Sequence, residues 1–187
     1  MNAEPVMQRL IQFEGSVPYM YRCTGGEITV GVGHAILSSH DAQQLNWQQI
    51  SSTTRPSDVV IDNDYRRVGA AAKGQTAKSY ESLSICRMND TAIDALLKAD
   101  IDSFSLQLNR QLAGWEEYPE PAQEALFDMA YNLGVAGLLK YHKMLDACAE
   151  GDWVTAAAES HRNGIPDNRN EAIRQLFLDC GPGSTEA

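Results

Sequence analysis

The stretch FEG at 13–15, followed by PYMYRCTGGEITVGVGH at 18–34, decides how this chain is read. A lone carboxylate, Glu14, ends an apolar run and is followed by a Gly-rich segment that alternates like a hairpin. Upstream, Val6, Leu10 and Phe13 with Met7 and Ile11 form a stripe at helical spacing, and Pro5 suits a first helical position. Residues 4–14 are therefore expected to be helical, with Gly15 as the stop. Glu14 then lies in the last turn, where the negative end of the helix dipole disfavours its ionised form.

Downstream, Tyr19, Tyr21 and Cys23 alternate, Gly25-Gly26 offers a tight turn, and Ile28, Val30 and Val32 alternate again. Register decides which side chains meet. A two-residue turn puts Cys23 opposite Ile28 with Thr29 on the other face, whereas a three-residue Thr24-Gly25-Gly26 turn puts Cys23 and Thr29 on one face. The sequence leaves both open.

Residues 35 to about 88 are polar, rich in Gln and Ser and weakly periodic, with a β-like VVI at 59–61 and a helix expected around 63–72. This block, 35–90, reads as an insertion. Helical periodicity returns at Thr91, whose Asp94 gives a T-x-x-D capping pattern, and continues through Ile93, Leu97, Ile101, Phe104 and Leu108. Ala122 to Leu133 is apolar on nearly every side, as expected of a central buried helix, and Gly134 and Gly137 break it. Helices at about 138–149, 153–161 and 168–178 are expected to follow, and the tail at 180–187 is expected to be flexible. The expected fold class is α+β and mostly α, a small β-hairpin lobe with a larger helical lobe and a polar insertion.

A length of 187 residues suits one domain, 1–187. The composition, 43% apolar and 21% charged, is that of a soluble globular protein, and no apolar run approaches the roughly 18 residues of a membrane span. No membrane insertion is expected. MNAEPVMQRLIQFEG lacks a basic start and a long apolar core, so synthesis in the cytoplasm without a signal peptide is expected. Cys23, Cys86, Cys148 and Cys180 show no C-x-x-C or Cys/His ligand spacing and read mainly as thiols, with one disulfide left open. His40, His142 and His161 likewise have no mutual ligand spacing, so no metal site is expected. Of the net charge of −10, residues 1–37 carry −1 and residues 38–90 none, leaving −9 on residues 91–187. Such a surface repels phosphate backbones, which argues against nucleic acid as a partner.

Glu14, then Cys23 nine residues on, then Thr29 six further, inside FEG…Y…GxxTVGVGH, resembles the phage-type lysozymes. That family carries a Glu, eight residues, Asp or Cys, five residues, Thr pattern followed by Gly-x-Gly-His. ALFDMAYNLGVAG at 125–137 resembles the family's central helix, GDWVTAAA at 151–158 the helix after it, and Asn168-Arg169 the start of its last helix. The likeness covers 1–37 and 91–178. The part of the block at 38–90 has no counterpart in it and is more loosely similar to lysozyme-like bacteriocin or secreted-effector domains.

The resemblance implies a glycoside hydrolase that cleaves the β-1,4 bond between N-acetylmuramic acid and N-acetylglucosamine in peptidoglycan, with no cofactor. It implies Glu14 as general acid, for which a protonated carboxyl with a raised pKa is suited. It places Cys23 where relatives hold the Asp that activates water, Thr29 where a hydroxyl positions that water, and His34 as a structural hydrogen-bonding or ion-pairing group. Glu27 is a substitute carboxylate that the pattern does not single out. Tyr131 and Tyr141 fall at positions that line the saccharide cleft, Glu159 at a polar saccharide-binding position, and Arg169 where relatives bring an arginine toward the catalytic Glu. Partners implied are glycan strands and, for an effector, an immunity or inhibitor protein; a monomer is expected. Delivery to the cell wall would follow holin release or a secretion system. The rival expectations are a lytic transglycosylase, against which Thr29 argues, and a non-catalytic glycan-binding module in which Cys23 marks lost turnover.

Overall fold

The computed structural model describes residues 1–181. It forms two compact units, one from Met7–Asp100 and the other from Met1–Val6 with the chain from Ile101 onward, so both boundaries fall inside helices. The expected flexible tail lies, from residue 182, outside the described residues. Helices make up 60% of the structure beside a small antiparallel sheet, which is the mostly α, α+β class expected.

Helix α1 (Ala3–Glu14) starts just before the residues expected of it, because Asn2 Oδ1 accepts the Glu4 amide at 3.1 Å. Pro5 thus sits in the first turn, where its missing N–H is not needed. Val6 and Leu10 are the buried members of its stripe. Strands β1 (Val17–Arg22), β2 (Ile28–Gly31) and β3 (His34–Ile36) follow as an antiparallel sheet in that order. The register of β1 against β2 shifts between Val17 and Tyr21, around Pro18, which cannot donate to a ladder.

The 35–90 block is built from defined elements. Helix α2 (Ser39–Gln44) is capped by Ser38, whose hydroxyl accepts the Asp41 amide at 3.1 Å. Strands β4 (Gln48–Gln49) and β5 (Cys86–Arg87) pair across the block, and helix α3 (Asp58–Ala70) and a 3-10 segment (Ala77–Leu83) lie between them. The VVI at 59–61 is therefore helical rather than β-like. Its buried face reads Ile61, Asp64, Val68, and the acid in the middle hides the stripe. Asp64 is fully buried and its Oδ2 accepts from Ser84 Oγ at 2.8 Å and from the amides of Ile85 and Cys86 at 2.7 and 2.9 Å. A core of Trp47, Ile61, Val68, Tyr80 and Cys86 completes this region.

Helix α4 (Asp90–Gln111) carries the expected stripe, with Ile93, Leu97, Ile101 and Leu108 buried. Its cap is Asn89, whose Oδ1 accepts the Ala92 amide at 2.8 Å; Thr91 and Asp94 are exposed residues already inside the helix. Helix α5 (Glu120–Leu133) is buried from Ala122 to Ala130, and Gly134 ends it as expected. The chain continues through α6 (Val135–Leu138), α7 (His142–Glu150), α8 (Trp153–Glu159) and α9 (Asp167–Leu178). The helix expected at about 138–149 starts only at His142, as α7, after the separate short helix α6 and a break at 139–141. Helix α9 packs on α5 and α8. No helix of the described residues is long and apolar enough to cross a membrane.

Candidate active site

Glu14 is exposed at the C-terminal end of α1, in a last turn without a basic residue. Gly15 closes the helix at φ 74 with its amide 3.0 Å from the Ile11 carbonyl. The hairpin behind it resolves the register. Arg22 pairs with Ile28 and Tyr21 with Thr29, while the Cys23 amide donates to the Glu27 carbonyl at 2.9 Å and the Gly26 amide to the Cys23 carbonyl at 2.9 Å. The loop is the three-residue Thr24-Gly25-Gly26 form, with Gly26 at φ 103, a conformation that suits a residue without Cβ. Tyr21, Cys23, Glu27 and Thr29 consequently share one face of the sheet.

On that face Cys23 Sγ donates to Glu27 Oε2 at 3.0 Å. This bond, more than any other influence, holds the Glu27 carboxyl below the usual range, with Arg22 and Lys73 adding to it. In nucleophilic cysteine sites the thiol pairs with an imidazole; here its partner is a carboxylate. Thr29 is 4% exposed, and its hydroxyl donates to the Glu27 carbonyl at 3.4 Å. Burial pushes the Tyr21 phenol up, and its electrostatic interactions with Cys23 and Glu14 push it further. Tyr21 is thus within electrostatic reach of both. Arg22 braces the turn, with Nε 3.0 Å from the Gly26 carbonyl and Nη1 2.7 Å from the Ala71 carbonyl.

His34, on β3, lies with Nδ1 2.9 Å from Oδ2 and 3.0 Å from Oδ1 of Asp100 on α4. The remaining expected residues belong to the other compact unit. Tyr131 joins an aromatic cluster, its ring centroid 5.5 Å from Phe104 and 6.1 Å from Phe127. Tyr141 and Glu159 line one cavity of ≈ 380 Å³ together with Lys143 and His161, and Lys143 Nζ is 3.8 Å from Glu159 Oε1. Arg169 is buried, with Nε 3.2 Å from Oδ1 and Nη2 3.3 Å from Oδ2 of Asp128.

Two features escaped the sequence. Tyr21 went unnoticed as a member of the site face, although its two-residue spacing from Cys23 was visible. The Cys23–Glu27 pair follows only from the three-residue turn. Among the described residues no group of three His, Cys, Asp or Glu side chains is placed to hold a metal ion, and all four cysteines are free thiols. The arrangement offers a carboxyl at the end of α1 and, on the hairpin that follows, a face carrying a hydroxyl, a thiol and a second carboxylate, which is the equipment of acid and base chemistry on a polar bond.

No curated protein matches the chain in sequence. The model of the phage lysozyme family matches residues 11–164, which include the whole hairpin, the 35–90 block and the central helix. With most of its length and the Glu14, Cys23 and Thr29 pattern inside that match, the chain belongs to the phage lysozyme family, a family of peptidoglycan-degrading hydrolases.

Proposed function

We propose that the protein is a muramidase that hydrolyses the β-1,4 bond between N-acetylmuramic acid and N-acetylglucosamine. The observation that carries this reading is the hairpin register, which sets Cys23 and Thr29 on one face of the sheet that follows the helix ending at Glu14. Glu14 donates the proton to the leaving oxygen as the glycosidic bond breaks. Thr29 holds the attacking water through its hydroxyl, and Cys23 borders it. Tyr131 and Tyr141 offer aromatic faces to the apolar side of sugar rings, and Glu159 a polar contact. His34 fixes the end of the sheet through Asp100, and Arg169 holds the buried Asp128 carboxylate of its own unit. The enzyme reaches the wall after holin release or through a secretion system.

Mass spectrometry of fragments released from purified Gram-negative sacculi tests the bond assignment. Fragments with reducing N-acetylmuramic acid ends are expected. Ends in 1,6-anhydro form would make the protein a lytic transglycosylase, and reducing N-acetylglucosamine ends would assign it to the other glycosidic bond.

A further inference from the structure

A thiol at position 23 leaves the attacking water without a good proton acceptor, since a free thiol ordinarily titrates near about 8.5. The structure puts a carboxylate directly behind the sulfur. Cys23 Sγ donates to Glu27 Oε2 at 3.0 Å, and both side chains stand on the Thr29 face. The approach depends on the turn, because a Cβ at Gly25 would collide with Glu27 Oε2. Arg22, anchored to the Gly26 and Ala71 carbonyls, and Lys73 flank the carboxylate with positive charge.

We propose that Glu27 is a positioning residue that acts through Cys23 as the final acceptor of the water proton. The inference rests on the muramidase reading above. As the water oxygen forms its bond to the anomeric carbon, one of its O–H bonds breaks and the proton goes to Cys23 Sγ. The proton that Sγ held passes along the existing hydrogen bond to Glu27 Oε2. The glycosidic C–O bond breaks with its electron pair on the leaving oxygen, which takes the proton of Glu14. Cys23 ends as it began, Glu27 ends protonated and Glu14 ionised, and proton exchange with solvent resets both. Nothing is oxidised or reduced. The geometry therefore divides between two residues, a thiol in front and a carboxylate behind, the task that relatives with Asp at position 23 give to one.

Initial rates of reducing-end release from sacculi, with melting temperatures, test this in wild type, Glu27→Gln, Cys23→Asp and the double variant. Glu27→Gln is expected to lower kcat by about 100-fold with KM and melting temperature little changed. Cys23→Asp brings a carboxylate to the water directly, so adding Glu27→Gln to it is expected to lower kcat by less than about 3-fold. An equal loss in both backgrounds would make Glu27 a support of the turn and overturn the relay. A fully active Glu27→Gln beside an inactive Glu14→Gln would overturn the relay and leave the muramidase reading standing. Absence of reducing ends from the wild-type protein would overturn the muramidase reading itself.

Discussion

Asp128 is 1% exposed and faces two guanidinium groups, Arg162 Nη1 at 3.0 Å and Arg169 Nε at 3.2 Å. Arg162 is itself fully buried, and burial pushes its pKa down while Asp128 works against that. Removing the carboxylate takes a counter-charge away from two buried cations. Asp128→Asn is expected to cost about 3–5 kcal/mol in urea unfolding, far more than a surface Asp→Asn such as Asp146→Asn. A cost below about 1 kcal/mol would mean that water reaches this cluster. Such buried acids were not legible in the sequence. Asp128 reads as one polar interruption of an apolar helix, and its partners lie 34 and 41 residues away. Glu14, Cys23 and Thr29 stood out because their order and spacing, confined to one helix end and one hairpin, resemble the phage-type lysozyme pattern. The Cys23–Glu27 pair did not, because two turn lengths were open and only one puts a carboxylate across from the thiol.

At the scale of elements, local signals served where the capping or stop residue and the apolar stripe agreed. Helix α1, the hairpin and α5 were readable on that basis, from Leu10 and Val6, Gly25-Gly26 and Gly134, while Asn168-Arg169 at the start of α9 stood out by its resemblance to the family's last helix. Helix α3 was read only in part, as a helix around 63–72 with a β-like start, since Asp64 occupies its buried face and is satisfied by Ser84, Ile85 and Cys86 from a distant segment. Helix α4 was found but its start was misplaced. Thr91 and Asp94 match a capping pattern, yet Asn89 already accepts the Ala92 amide and the helix begins at Asp90. Asn89→Ala is therefore expected to destabilise by about 1 kcal/mol in thermal unfolding, and Thr91→Ala by less than about 0.5 kcal/mol. The reverse order would place the cap at Thr91.

For the molecule as a whole, charge is the property most open to experiment. Several exposed or half-buried carboxyls sit below their usual range, each chiefly through one hydrogen bond: Glu27 from Cys23, Asp62 from Ser39, Glu81 from Lys78, Asp152 from Thr155 and Glu171 from Arg174. A depressed folded pKa gives stability that is present above the unfolded value and lost as pH falls through the folded one. The net charge of −10 works in the other direction, because protonation relieves self-repulsion. Moderate salt screens that repulsion beyond about 10 Å and leaves the short pairs intact. In such salt the melting temperature is expected to fall as the pH drops below about 4, and a rise there would mean that repulsion outweighs the paired carboxyls.

In the proposed muramidase reaction Glu14 supplies the proton for glycosidic cleavage. The most direct test of this role is the initial rate of sacculus clearing by Glu14→Gln against wild type, at matched melting temperature and pH. The isosteric amide keeps the shape of the helix end and removes the acid, so a loss of at least about 100-fold is expected. Clearing at the wild-type rate would contradict the account.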